Sequence, residues 1–305
     1  MIKDFSFAIS TYNRPEDVLD LLCNILSLDN LDELLQDIVI VNNGSTVNYS
    51  RVEEYILQRK DPRIIYHHLQ TNTGATGGKN AAFALSNGRY VIMPDDDCLM
   101  ANKNCLSTIQ DQFNRKDTER EIAIVVFKLV FHVNREIQWD GFPHKNVKKY
   151  GGLSSFQTYF FPGGACAFKR SCIDHTGFYP TNISFAQEEY DLAFKLIGAG
   201  YCFMYTDQVT VLHKESPLER VPPPKRSMLN WVNKSRISYI YLPKIYFFST
   251  ALLWALHHIR ESNWNLRYLI PGIKQIIRIP FTTRRTPLSE SAMQYLKEVE
   301  ARLWY

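Results

Sequence analysis

The first hundred residues alternate short apolar runs with amphipathic stretches. Residues 5–10 (Phe-Ser-Phe-Ala-Ile-Ser) have the pattern of a buried strand, which stops in the polar turn of residues 11–15. Helix signals follow: Pro15 in the first turn, acidic Glu16 and Asp17, then Val18, Leu21, Leu22, Ile25 and Leu26 at three- and four-residue spacing. Residues 37–41 predict a second strand, halted by Asn42, Asn43 and Gly44. A helix over 52–57, a strand over 63–67, a helix over 78–85 and a strand over 89–93 continue the series up to Pro94. Such alternation predicts an α/β domain, a mostly parallel sheet with helices on both faces. Ligands of such sheets bind beyond the carboxyl ends of the strands, where each of the polar clusters falls.

The middle of the chain is richer in strand patterns. Residues 122–133 form a long apolar run, 158–169 carry Pro162-Gly163-Gly164, and 202–205 and 209–213 read as two closing strands. Between them, 191–197 read as a helix with Leu192 and Leu196 on one face. Pro217 and Pro222 to Pro224 predict a linker, after which helices should be interrupted at Pro243, Pro271 and Pro280. The expected organisation is a catalytic unit over 1–215, with a nucleotide-binding half (1–100) and an acceptor half (101–215). A C-terminal helical subdomain over 216–305 follows.

A length of 305 residues, 45% of them hydrophobic, supports one large core with an appendage. Charge is unevenly divided. Residues 216–305 hold 14 Lys and Arg against 5 Asp and Glu, a net of +9, which leaves 21 against 26, a net of −5, in residues 1–215. This is not the pattern of a nucleic-acid binder; it suggests a catalytic domain resting on an anionic surface, a membrane. Residues 245–256 lack any charge, but twelve residues fall short of the roughly 20 needed to span a bilayer. They read as an interfacial helix with Lys225, Arg226, Lys234, Arg236 and Arg260 nearby. The alternative is a helix packed on the catalytic domain or in a homodimer. The apolar run after Met1 is too brief for a signal peptide, and six cysteines without a CxxC pair read as free thiols. Both features suggest a cytoplasmic enzyme, peripheral on the inner face of the membrane.

Three clusters carry chemistry. Asp95, Asp96 and Asp97 follow a buried strand, and strand alternation would aim Asp95 and Asp97 to one side. Two such carboxylates suit Mg2+ or Mn2+ shared with diphosphate oxygens. A solvated acidic loop, or Asp97 capping a following helix, would be the structural explanation. Residues 71–80 form a glycine-rich loop entering a helix, a shape that presents N–H groups to an anion. It is not a Walker loop, because position 73 is Thr and Lys79 is followed by Asn80. Glu188, Glu189 and Asp191 open a helix, where the macrodipole alone would favour acids; Glu189 is the candidate general base.

In this order, the motifs of residues 11–14, 41–46, 72–78, 95–97, 163–164 and 188–192 resemble those of glycosyltransferase family 2, inverting enzymes of GT-A fold. The 72–78 motif is most similar to rhamnosyl- and galactofuranosyltransferase-like members. The resemblance spans roughly residues 3–215, and six motifs in sequence make it specific. It implies a nucleotide-sugar site lined by Thr11, Tyr12, Asn13 and Arg14, with Arg14 near the diphosphate. Asn42, Asn43, Asn72, Gly74, Gly78, Lys79, Asp95 and Asp96 would join that site. Asn42 stands where many members have an Asp that contacts the base. Asp95, Asp97 and His213 would hold Mn2+ or Mg2+, and Gly163 and Gly164 would admit donor and acceptor. Glu189, with Glu188 and Asp191 beside it, would take the acceptor proton. The implied partners are a UDP- or dTDP-linked sugar and a saccharide or lipid-linked saccharide acceptor. A nucleotidyltransferase on a similar sheet and a non-catalytic sugar- or nucleotide-binding scaffold are the alternatives.

Overall fold

The computed structural model describes residues 3–183, 186–218, 221–262 and 266–304; Met1 and Ile2, where the signal-peptide reading begins, lie outside them. The first half runs β1 (Phe5–Thr11), α1 (Pro15–Ile25), α2 (Leu31–Leu34), β2 (Leu35–Asn42), α3 (Ser50–Arg59), β3 (Ile64–His68), α4 (Gly74–Leu85) and β4 (Tyr90–Ile92). Then come β5 (Cys98–Met100), α5 (Cys105–Phe113), β6 (Ile122–Phe131), α6 (Val147–Tyr150), β7 (Ser155–Thr158), β8 (Cys166–Lys169), α7 (Arg170–Thr176), α8 (Glu188–Gly198) and β9 (Cys202–His213). Four helices close the chain: α9 (Pro223–Tyr241), α10 (Lys244–Glu261), α11 (Leu266–Thr282) and α12 (Glu290–Glu298).

The strands form one mixed sheet in the order β3-β2-β1-β4-β8-β6-β9-β5, with β7 also on β9. The first four are mutually parallel, as the strand–helix alternation predicts, while β8 enters antiparallel between β4 and β6. Continuous apolar strands such as Ile38 to Val41 are buried on both faces, with Val18, Leu21, Leu22 and Ile25 of α1 on one side. Because β2 and β4 flank β1 on opposite sides, the chain diverges at the carboxyl end of β1, which opens a crevice there.

Several local expectations are corrected. Residues 202–213 are one strand, not two: its pairing with β6 slips between Thr206 and Thr210, so β7 pairs with its first half and β5 with its second. The glycine-rich stretch is not a loop up to residue 78, because α4 already starts at Gly74. Pro271 and Pro280 lie inside α11 without breaking it; packing outweighs the lost hydrogen bonds, with Gly272 set tightly against Trp231 of α9. Pro223 and Pro224 open α9 rather than prolonging a linker, which fits proline in the first turn.

The C-terminal helices pack in two places. Met228, Trp231 and Val232 of α9, Phe247 of α10, and Ile276 and Ile279 of α11 form a second apolar core. Ala292, Tyr295 and Leu296 of α12 belong instead to the main core, and the Tyr295 hydroxyl donates to Thr158 O at 2.8 Å.

Candidate active site

The crevice is built from loops that stitch the strand ends together. Asn13 adopts a left-handed backbone (φ 57°), and its Oδ1 accepts from Thr46 N at 2.8 Å, joining the loops after β1 and β2. Buried Tyr49 ties in the same turn: its hydroxyl meets Thr11 Oγ1 at 2.8 Å and accepts from Arg14 N at 3.0 Å. Tyr12 is half-buried beside them. Asn42 is buried, its Nδ2 donating to Tyr66 Oη at 2.9 Å and its Oδ1 accepting from Ser45 N at 3.0 Å.

The start of α4 is capped by one distant and one adjacent asparagine. Asn43 Oδ1 accepts from Thr73 N at 3.0 Å, and Asn72 Oδ1 accepts from Gly74 N at 2.8 Å. Gly74 has φ 79°, and a Cβ on Gly78 would lie 2.1 Å from Ser10 Oγ, so Gly78 serves the approach of helix to strand. Two donors expected to face an anion are therefore taken by Asn43 and Asn72.

The three aspartates follow β4 in a turn rather than extending it, so strand alternation does not govern them. They divide the crevice in two. Asp95 Oδ1 lies 2.9 Å from Lys79 Nζ. Asp96 and Asp97 turn the other way, with Arg14 Nη1 at 2.9 Å from Asp96 Oδ1 and 3.4 Å from Asp97 Oδ2. Asp97 does not cap a helix; β5 follows it.

On the Asp97 side, antiparallel pairing of β5 with β9 sets Cys98 opposite His213. His213 Nε2 then lies 3.5 Å from Asp97 Oδ1, while its Nδ1 donates to Gln138 Oε1 at 2.8 Å. Ser216 N donates to Asp97 Oδ2 at 2.9 Å. Burial pushes the Asp97 carboxyl up, but His213, Arg14 and Ser216 N–H outweigh it and hold it below the usual range. Burial dominates for Asp96, raised to about 7 despite Arg14. The His213 imidazole is raised because the Asp97 charge outweighs its burial. Asp97, Cys98 and His213 together present ligand atoms within 4.8 Å of one another. The Cys98 thiol is held well above its ordinary value by burial and the neighbouring carboxylates, and hard cations such as Mg2+ and Mn2+ prefer oxygen donors to thiolate. What remains, an ionised carboxylate and an imidazole oriented from behind by Gln138, fits a divalent cation. Asp95 lies apart from this group, on Lys79.

On the Asp95 side, the turn carrying Gly163 and Gly164 presses into the cluster. A Cβ on Gly163 would lie 2.8 Å from Glu189 Oε1 and 2.9 Å from Lys79 Nζ, and one on Gly164 would lie 2.5 Å from Asp95 Oδ2. Asp95, Lys79 and Glu189 thus converge on one backbone turn. The Glu189 carboxyl is raised to about 8, mainly by burial, then by the charge of Glu188, with Lys79 opposing. Glu188 is buried and also raised by burial, and its Oε2 makes no hydrogen bond among the described residues. Asp191 faces elsewhere: Tyr241 Oη donates to its Oδ1 at 2.9 Å, and Lys195 Nζ is 2.8 Å from its Oδ2.

Tyr49, Gln138, Ser216 and Tyr241, which support this arrangement, carry no local sequence signal. Each reaches its partner through tertiary packing, Ser216 across 119 positions and Tyr241 across 50.

Comparisons with known proteins identify the family and the fold. The family model described as glycosyl transferase family 2 matches residues 6–177. An uncharacterized glycosyltransferase of Methanocaldococcus jannaschii is 22% identical over 263 residues, covering 81% of this chain and 86% of that protein. Among solved structures, Staphylococcus aureus TarS 1–349 in complex with UDP-GlcNAc superposes with a TM-score of 0.61 at 16% identity, covering 90% of this chain and 81% of that one. The mannosyltransferase PcManGT of Pyrobaculum calidifontis, in complex with GDP-Man and Mn2+, gives 0.61 at 17% identity, covering 98% and 79%. The fold is GT-A.

Proposed function

The chain belongs to glycosyl transferase family 2, and on that premise we propose that it moves a sugar from a nucleoside-diphosphate sugar to an acceptor hydroxyl with inversion at the anomeric carbon. The observation that carries this reading is the convergence of Glu189, Lys79 and Asp95 on the Gly163–Gly164 turn, beside the Asp97–His213 pair. Family membership sets aside the nucleotidyltransferase alternative. Residues 1–215, with α12 packed into the same core, are the catalytic unit, and α9 to α11 form its helical subdomain.

Glu189 accepts the acceptor proton while the acceptor oxygen bonds to the anomeric carbon and the bond to the departing diphosphate breaks. Lys79, held as a cation by Asp95 and Glu189 despite its burial, offsets the repulsion between those two carboxylates while Glu189 is ionised and ready for the proton. Asp97 and His213 would hold Mn2+ or Mg2+, which when bound would supply positive charge to offset that of the leaving group. Arg14 bridges Asp96 and Asp97 at the mouth of the nucleotide site, and the loops after β1 and β2 shape that site. UDP- and dTDP-sugars are the first donors to try, with saccharide or lipid-linked saccharide acceptors of cell-surface polysaccharide or glycolipid synthesis. Screening nucleotide-sugars for metal-dependent thermal stabilisation identifies the donor, since a ligand at 100 times its Kd adds about 2.7 kcal/mol. Proton NMR of the first product then reads the anomeric configuration; retention would overturn the single displacement.

Two expected outcomes follow from the turn and from the base. In Gly164→Ala the new methyl collides with Asp95, and a shift of even ~1 Å can cost on the order of 10²-fold. We expect kcat/KM to fall at least ~10-fold with little change in melting temperature, measured side by side; unaltered kinetics would show that Asp95 need not stay where it is. The second concerns pH. A carboxyl raised to about 8 is still protonated where an ordinary Glu, at about 4.3, is ionised, and only the ionised form accepts a proton. The log kcat/KM profile, which reports groups of the free enzyme, should therefore rise with unit slope well above pH 5. Glu188→Gln removes the like charge and should move that limb to lower pH. A wild-type limb centred near 4.3 would count against Glu189.

A further inference from the structure

The helical layer outside the catalytic crevice has a face that glycosyl transfer does not use. Large apolar side chains protrude along α10 at Ile245, Phe248, Leu252 and Leu256, and along α11 at Ile270, Ile273, Ile277 and Phe281. Phe248 and Leu252 are each 64% exposed, and Phe281 is 85% exposed. They are not loose ends of the core, because each helix buries its opposite side: Phe247, Thr250 and His258 on α10, Ile276 and Ile279 on α11, against α9. At ~100° per residue, Ile270, Ile273, Ile277 and Phe281 form one stripe on α11. Lys274, Arg278 and, just past the helix, Arg284 border it, all exposed and paired with no carboxylate among the described residues. Residues 221–289 hold 11 Lys and Arg and a single acid, Glu261.

We propose that the exposed stripe of α11 docks in the plane of an anionic lipid surface, its apolar side chains entering the acyl boundary and its basic rim facing the headgroups. The charge selects the occupant. A second copy would set Lys274, Arg278 and Arg284 of one stripe against the same three cations of another, whereas acidic headgroups neutralise them. No helix among the described residues is long and apolar enough to cross a membrane, so the contact is interfacial. The layer is tied to the catalytic crevice through α9, where Asn233 Nδ2 donates to Ala186 O at 3.0 Å and Asn230 accepts from Gln187 at 2.9 Å, just ahead of Glu188 and Glu189. Docking would therefore present the crevice to acceptors held at that surface.

The test is co-flotation of the full chain with phosphatidylcholine vesicles, with and without phosphatidylglycerol, at low and high salt. Nucleotide binding, which does not depend on turnover, reports that each variant is folded. We expect capture only by the phosphatidylglycerol vesicles, a loss of at least ~10-fold in the pair Ile277→Glu and Phe281→Glu, and a comparable loss in the pair Lys274→Glu and Arg278→Glu. High salt, which shortens the Debye length to ~3 Å at 1 M, should weaken capture of the wild type. No capture at low salt, or unchanged capture of the Ile277→Glu, Phe281→Glu protein, overturns the proposal. So does light scattering that finds a wild-type dimer dissolved by Ile277→Glu, which would assign the face to a second copy.

Discussion

Replacing Glu189 with Gln should lower kcat by about 10²–10⁴-fold while leaving nucleotide-sugar affinity near that of the wild type. The amide keeps the size and reach of the side chain but cannot take a proton. Gly163 sets the comparison, because the carboxylate and Lys79 both crowd its Cα and an isosteric change preserves that packing. The neighbouring acids supply internal controls. Asp191 is committed to Tyr241 and Lys195, so Asp191→Asn should cost stability more than rate. Glu188→Gln should shift the pH profile rather than abolish turnover. Turnover, donor affinity and melting temperature are measured for all three variants together. Near wild-type transfer by Glu189→Gln together with a dead Asp191→Asn would keep the helix and move the base.

Asp97→Ala should abolish metal-dependent nucleotide binding and with it most of the activity. In the free protein the Asp97 carboxylate draws together Arg14, His213 and Ser216 N–H. Ala removes the anion that those groups and a divalent cation would share. The fold should survive, because the site lies beyond the strand ends rather than in the core, and Asp97→Asn offers a gentler comparison that keeps the shape and loses the charge. His213→Ala, which removes the second ligand, should also weaken metal affinity, and Gln138→Leu, which only frees the ring, should cost about 10–100-fold. Titrating nucleotide into each protein with Mn2+ and again with excess chelator decides the matter. Full activity in chelator, or wild-type affinity in Asp97→Ala, would remove the metal from this site.

Much of this protein is legible in its sequence because periodicity is local. The apolar runs at 5–10, 37–41 and 89–93 and the 3–4 spacing in α1 each encode which face is buried, and they give the parallel half of the sheet without reference to distant residues. The same locality explains why the motif clusters could be placed at strand ends. It also explains what went astray. Continuing the alternation of β4 through Asp95 to Asp97 assumed a strand that ends at Ile92. The glycines at 74, 77 and 78 read locally as a loop, whereas Asn43, 30 positions away, helps Asn72 to cap a helix that starts at Gly74.

By itself, then, the sequence determines that this is an α/β chain with acids, glycines and asparagines gathered where its strands end, and that its last third is positive and apolar. Only the tertiary structure decides which of those groups meet. Antiparallel pairing of β5 with β9 delivers His213 to Asp97, insertion of β8 brings Gly163 and Gly164 against Asp95 and Glu189, and α9 withdraws Asp191 through Tyr241. The physical reason is that a residue's period and burial preference are written within a few neighbours. Partnership between segments 50 or 119 positions apart depends instead on the summed packing of a whole sheet, which no single stretch carries.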